Sequence, residues 1–342
     1  MKSLLRASST LNPAYFALVM ATGTVSTACH LLELPVIPTA LFGINIAAFL
    51  SLVILSALRA IFFPRLLMAD LIDHKRGVGF FTTVAACCVV GIQFLLLANA
   101  PAASVTLWTV GVVLGLALTN VVFTSLTVKQ SKPTLAEGIH GDWLVSVVAT
   151  QAVSVLGGML SERLGSHREI ALFFSASMWL AGGMLYIWII SLIFYRYTFF
   201  AMSASEMSPP YWINMGAMAI STLAGATLVS KADSSPILLQ LLPFIKGLTL
   251  LFWATATWWI PMLVTLGIWR HVYKRVAFAY DPQYWSIVFP IGMYAVCTIR
   301  LAQELDAPYL LLIPNIFVYI ALVAWGLTFL TMLRSLWKLR GH

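Results

Sequence analysis

From Gly77 to Val128 the sequence reads GVGFFTTVAACCVVGIQFLLLANAPAASVTLWTVGVVLGLALTNVVFTSLTV, 52 residues without one Asp, Glu, Lys or Arg. A membrane-spanning helix needs about 20 mostly apolar residues, within a range of roughly 17–25. The run is too long for one crossing and long enough for two, and Asn99-Ala100-Pro101 breaks it near its centre. It therefore reads as two antiparallel spanning helices joined by a short turn. This hairpin is the unit from which the rest of the chain is read.

Working outward, further charge-free windows run over 7–32, 34–58, 143–161, 170–195, 207–230, 247–269, 282–299 and 307–333. Each fits one span, which makes ten. The expected helices cover about 11–32, 38–59, 78–98, 104–128, 142–160, 170–195, 209–230, 243–270, 283–303 and 308–334 of one transmembrane domain, 1–342. Barrel strands need alternating segments of about 10 residues, and these runs are longer and uniformly apolar. Composition agrees: 61% of the 342 residues are hydrophobic and 9% charged, against about 25% charged in a soluble domain. That excludes a soluble enzyme, a disordered chain, a disulfide scaffold and a nucleic-acid binder. Lys2 and Arg6 lead into a full span with no small-residue cleavage site, so the start reads as the first helix and not as a signal peptide.

The net charge of +8 comes from 20 basic and 12 acidic residues. Threading ten helices puts 15 basic residues on the side of the termini and 5 on the other, while the acids divide 6 and 6. The positive-inside rule counts Lys and Arg, so both termini are expected in the cytoplasm. Cys29, Cys87, Cys88 and Cys297 lie in or at the end of apolar segments and read as small packing residues.

A short pattern recurs at the start of the odd helices. Pro13-Ala14-Tyr15-Phe16, Pro209-Pro210-Tyr211-Trp212 and Pro282-Gln283-Tyr284-Trp285 share the form Pro-x-Tyr-aromatic, with weaker echoes at Gly79-Phe80-Phe81 and Gly141-Asp142-Trp143. The final aromatics are 65, 62, 69 and 73 residues apart, one hairpin per repeat. Proline suits a first helical turn, and Tyr and Trp favour the membrane interface, so plain interfacial anchoring is the competing explanation. Five equivalent hairpins imply a quasi-five-fold ring. The odd helices carry small and hydroxyl residues, such as Ala21-Thr22-Gly23-Thr24 and Thr82-Thr83, whereas the even ones are bulkier, as in Ile187-Trp188-Ile189-Ile190. Small residues let helices approach closely. The odd helices are therefore expected inside, with tight packing and no pore as the alternative.

These motifs, with Tyr211-Trp-Ile-Asn-Met-Gly-Ala and Tyr284-Trp-Ser-Ile-Val-Phe-Pro-Ile-Gly-Met-Tyr, resemble the helix signatures of the tellurite-resistance/dicarboxylate transporter family, which includes bacterial TehA channels, plant slow anion channels, and fungal malate permeases and sulfite pumps. The resemblance covers essentially the whole chain. It implies an all-α membrane protein of five hairpins around a pore, a homotrimer in the bacterial inner membrane, and an aromatic gate on helix 9, here Phe289 beside Pro290. The chain departs from the family in one respect. Proline kinks are described in several family inner helices, whereas here only helix 9 among the inner helices has a mid-helix proline, and helices 1 and 7 offer Gly23 and Gly216.

Aligning the repeats on their aromatics brings Met20, Ala85, Val147, Gly216 and Phe289 to one level, where only Phe289 is aromatic. A single ring facing small neighbours can close a narrow pore, since apolar constrictions gate by dewetting; ordinary core packing is the alternative. The expected pore lining is Met20, Thr22, Gly23, Thr24, Ala85, Val147, Gly216, Pro290 and Gly292, with Lys246 and Arg300 as mouth charges. Arg300 can instead pair with Glu304 one turn on, and Lys246 can snorkel to the interface. Every Asp and Glu, and His30, His74, His140, His167, His271 and His342, lie at helix ends or in loops. No titratable relay crosses the middle of a span, which disfavours obligatory proton pumping and cation conduction. No cofactor or metal pattern is present. The expected function is an anion-permeable channel passing small anions across the lipid bilayer. Its rivals are a carrier for C4-dicarboxylates or other oxyanions such as malate, sulfite or tellurite, with or without proton coupling, and a non-transporting scaffold.

Overall fold

The recurring aromatic signature folds into a 3-10 turn in all five repeats: Pro13–Phe16, Gly77–Phe80, Gly141–Leu144, Pro209–Trp212 and Pro282–Tyr284. Proline has no N–H to leave unpaired at a helix start. In two turns a side chain caps the entry: Asn12 Oδ1 accepts from Ala14 N at 3.0 Å, and Asp281 Oδ1 accepts from Gln283 N at 2.8 Å. Each turn feeds directly into a spanning helix.

The computed structural model describes residues 2–277 and 280–340; Met1, Phe278, Ala279, Gly341 and His342 lie outside them. Among the described residues ten helices are long and apolar enough to cross a membrane. They are α1 (Ala17–Leu31), α2 (Ile37–Phe62), α3 (Phe81–Leu96), α4 (Pro101–Val128), α5 (Val145–Leu160), α6 (Arg168–Phe199), α7 (Ile213–Val229), α8 (Pro236–Ile268), α9 (Trp285–Glu304) and α10 (Leu312–Arg340). A short helix at Lys2–Ser9 precedes them, and short helices at Pro64–Leu71 and Leu135–Gly138 lie in connections on the face that carries the termini. Four of the five even helices, α2, α6, α8 and α10, outrun the charge-free windows. α8 begins at Pro236 and so encloses Lys246, and it ends in a π-helical turn, Trp269–Tyr273.

The odd helices form a closed ring: α1 packs on α3, α3 on α5, α5 on α7, α7 on α9, and α9 on α1. Each even helix leans on its own hairpin partner and on the next inner helix, so α10 closes the outer layer onto α1. Burial separates the two layers. In the most apolar stretch of each helix, 72–94% of residues are buried in the odd helices and 11–33% in the even ones.

One polar contact recurs around the ring. Trp108 of α4, Trp179 of α6, Trp253 of α8 and Trp325 of α10 donate their indole N–H to Val153 O, Ser221 O, Thr298 Oγ1 and Thr22 Oγ1, at 2.9–3.0 Å. Asn45 of α2 takes the same place, donating to Gln93 Oε1 of α3 at 2.6 Å. A donor in hydrocarbon must find a partner within the protein, so each bond pins an outer helix to the inner helix of the following repeat.

On the terminal face the five 3-10 turns touch in sequence and close a ring of their own. Gly141 is obligatory there: a Cβ on it would lie 2.3 Å from Pro210 O of the neighbouring turn. Three even helices also end in an arginine that reaches back to the backbone ahead of its own inner helix. Arg59 donates to Leu11 O, Arg196 to Ile139 O at 2.7 Å, and Arg270 to Met207 O. Arg59 also holds Asp70 at 2.6 Å, and Arg196 holds Glu206 at 3.3 Å.

Candidate functional site

Toward the face opposite the termini the five inner helices enclose a vestibule of about 330 Å³. All five contribute walls. α1 supplies Thr24, Thr27 and Leu31; α3 supplies Val89, Ile92 and Leu96; α9 supplies Met293, Val296 and Arg300. α5 adds Val155 and Met159, and α7 adds Leu223 and Thr227.

Most of these positions share one register. Counted from Phe16, Phe81 and Trp285, the residues just named on α1, α3 and α9 fall at offsets of 8, 11 and 15, and those of α7 repeat 11 and 15 from Trp212, whereas Val155 and Met159 of α5 fall at 12 and 16 from Trp143. Offsets 4, 8, 11 and 15 make one helical stripe, because each residue turns the helix by about 100°. Met20, Ala85 and Phe289 stand at offset 4, one turn below Thr24, Val89 and Met293. Phe289 is 1% exposed, and Met20, Ala85 and Val147 are likewise buried. At about 1.5 Å per residue, Phe289 lies roughly 6 Å beneath the vestibule floor and about 16 Å beneath Arg300.

The other residues singled out from the sequence meet different surroundings. Thr22 accepts the Trp325 indole from α10, on the side of α1 away from the stripe. Gly23 sits under Val89, Asn45 and Gln93, and Gly292 faces Thr24 and Val25 of α1. A Cβ on Gly216 would lie 2.7 Å from Pro290 Cγ, so glycine on α7 makes room for the proline ring of α9. Thr24 and Arg300 line the vestibule, whereas Lys246 is half-buried on α8 outside its walls.

Three charged residues of the vestibule were not singled out from the sequence: Glu162, Arg163 and Lys231. With Arg300 and Glu304 they amount to three positive and two negative groups, a balance of +1. Lys231 Nζ pairs with Glu162 Oε1 at 2.6 Å, and Arg300 Nη1 donates to Gln303 Oε1 at 3.1 Å. Extending the aromatic alignment by one, two and three turns would have found wall residues of α1, α3, α7 and α9, but not Val155 and Met159 of α5. The charges follow from where each stripe runs out.

The hydroxyls of the wall offer weak contacts. Thr24, Thr27 and Thr227 direct their hydroxyl protons to carbonyls of their own helices, Met20 O, Gly23 O and Leu223 O, at 2.7–2.9 Å. Their donors are thus committed, and the positive side chains sit near the rim. Cations at the mouth concentrate anions, and a neutral interior lets them leave again, which conduction requires.

A membrane-embedded ring of hairpins whose inner helices enclose a cavity is the architecture of an integral membrane transport protein. The profile of the voltage-dependent anion channel family matches residues 10–333, and the chain belongs to that family. This is the family whose helix signatures the sequence resembles, and membership makes the protein a multi-pass anion transporter or channel. Among its relatives, an uncharacterized membrane protein of Mycobacterium tuberculosis is 39% identical over 152 residues, covering 44% of this chain and 77% of the relative. An uncharacterized transporter of Methanocaldococcus jannaschii is 27% identical over 292 residues, 83% of each chain. A sulfite efflux pump of Trichophyton rubrum is 22% identical over 355 positions, covering 96% of this chain and 92% of the pump.

Proposed function

We propose that the protein is a channel for small anions, with its conduction path along the ring axis and Phe289 as its gate. The carrying observation is the register. The stripe that lines the vestibule on α1, α3 and α9 continues one turn down to Met20, Ala85 and Phe289, and only the last is large and rigid. The termini lie in the cytoplasm of a bacterial inner-membrane protein, as the 15-to-5 division of basic residues supports. Anions enter the vestibule from the outer side past Arg163 and Arg300. The functional unit is a homotrimer with one path per chain, which light scattering in detergent tests directly.

Anion-substitution currents from purified protein in planar bilayers test the reading. Reversal potentials that follow the anion gradient and ignore the cation support a channel. A carrier for sulfite or another small oxyanion is the second reading, favoured by the similarity to the fungal efflux pump and by Glu304 in the vestibule wall. Saturable proteoliposome uptake driven by a pH gradient, without channel currents, would select it.

A further inference from the structure

Of the three arginines that clamp the terminal face, two pair with a carboxylate among the described residues and one does not. Asp70 pairs with Arg59 at 2.6 Å and Glu206 with Arg196 at 3.3 Å, each from the loop that follows the arginine's own helix. Arg270 occupies the same place at the end of α8 and donates to Met207 O. Among the described residues it has no carboxylate partner. The acid of its own following loop, Asp281, turns its carboxylate onto the amide of Gln283 at 2.8 Å.

A cavity of about 430 Å³ lies beside Arg270, between the end of α8 and the starts of α7 and α9. Its walls are apolar and aromatic, with Trp212, Leu263 and Tyr284 among them, and no Asp or Glu lines it. Val264, Ile268 and Val272 line it and are exposed on the bilayer side, so it opens sideways to lipid. Just beyond, Lys274 Nζ stands 5.9 Å from the Trp269 ring centre and 5.6 Å from that of Tyr273. The π-helical turn Trp269–Tyr273 carries Trp269, Arg270 and Tyr273, with Lys274 directly after it, and such turns are often found at functional sites. An apolar slot under a basic and aromatic rim at the membrane interface matches one kind of molecule: a lipid with a negative headgroup.

We propose that this groove binds an anionic phospholipid of the leaflet on the terminal face. An acyl chain fills the cavity. The phosphate sits at Arg270 and supplies the negative charge that Asp70 and Glu206 supply at the two equivalent arginines, and Lys274 adds long-range attraction.

Gly267 provides the steric test, since it lines the groove and a Cβ on it would have nothing within 4 Å. Gly267→Trp fills the slot and leaves the Arg270 clamp intact. Arg270→Gln and Lys274→Gln remove charge. Protein released from nanodiscs of equal phosphatidylglycerol and phosphatidylcholine is weighed by native mass spectrometry, with lipid-free melting as the folding control. Wild type should retain one phosphatidylglycerol per chain, preferred roughly fivefold or more over phosphatidylcholine, the effect expected of one engaged basic residue. Gly267→Trp should abolish retention of either lipid, and Arg270→Gln should abolish the preference. Equal retention of the two lipids by wild type would overturn the proposal, as would undiminished phosphatidylglycerol on Gly267→Trp. A smaller oligomer in that variant with an unchanged lipid count would assign the groove to a neighbouring copy, which also overturns it.

Discussion

Replacing Phe289 by alanine separates a gate from a packing residue, because the two roles predict opposite readouts. The ring is 1% exposed and sits one helical turn beneath Met293 at the vestibule floor. If it closes the path, opening requires moving it out of an apolar seat. Exposing a buried Phe side chain costs about 2–3 kcal/mol, so the wild-type path is open for roughly one part in 30 to 150. Phe289→Ala removes that term, and anion current should rise by about 30- to 150-fold, while Phe289→Leu, still apolar but smaller, should fall between. The assay is voltage clamp on oocytes or bilayers, with surface expression matched. Lost packing has a separate signature: Phe→Ala in a core costs about 3–5 kcal/mol of stability, read as a lower melting temperature in detergent. Unchanged current from a well-expressed variant with a lowered melting temperature would refute the gate and leave Phe289 as core.

Three further outcomes follow from other parts of the molecule. Gly141→Ala places a methyl group 2.3 Å from Pro210 O; because the obstacle is backbone, destabilisation of about 3 kcal/mol or more is expected, measured by thermal unfolding in detergent. Arg163→Gln combined with Arg300→Gln should lower anion conductance severalfold near 0.01 M salt and hardly at all near 1 M, where the screening length shrinks from about 30 Å to about 3 Å; an equal loss at both would show that the two charges do not act by attraction from the vestibule rim. Glu206 accepts hydrogen bonds from Ser203 and from the Arg196 guanidinium, which hold its carboxyl below the usual range. Its contribution to stability is thus present above the ordinary carboxylate pKa and lost as pH falls through the depressed value. The melting temperatures of wild type and Glu206→Gln should differ at neutral pH and converge in acid, by a small margin because the carboxylate is half exposed.

The Gly77–Val128 run was enough to define a hairpin, and the other windows extended it to ten spans. Such runs are legible because hydrocarbon imposes one rule on every residue that crosses it. The same logic separated the layers in advance. Small and hydroxyl residues marked the helices that the structure buries, and bulky ones marked those facing lipid. The aromatic repeat aligned Phe289 with Met20 and Ala85, and the vestibule lining of α1, α3 and α9 follows the same offsets one, two and three turns on.

The directions of side chains were a different matter. Thr22 and Thr24 are two residues apart and chemically alike, yet one accepts Trp325 from α10 while the other lines the vestibule. Helix rotation decides this, and rotation is set by contacts such as Gly216 against Pro290 and the outer-helix tryptophans against the next repeat. Charge behaved likewise. By sequence alone the protein could be threaded through a bilayer and its basic residues counted by side. That Arg59 and Arg196 find carboxylates while Arg270, among the described residues, does not depends on where three loops return. Patterning along the chain determined what is buried in lipid and what repeats. The tertiary structure alone decided which charges meet and which face of each inner helix turns to the axis, because both depend on residues far apart in sequence.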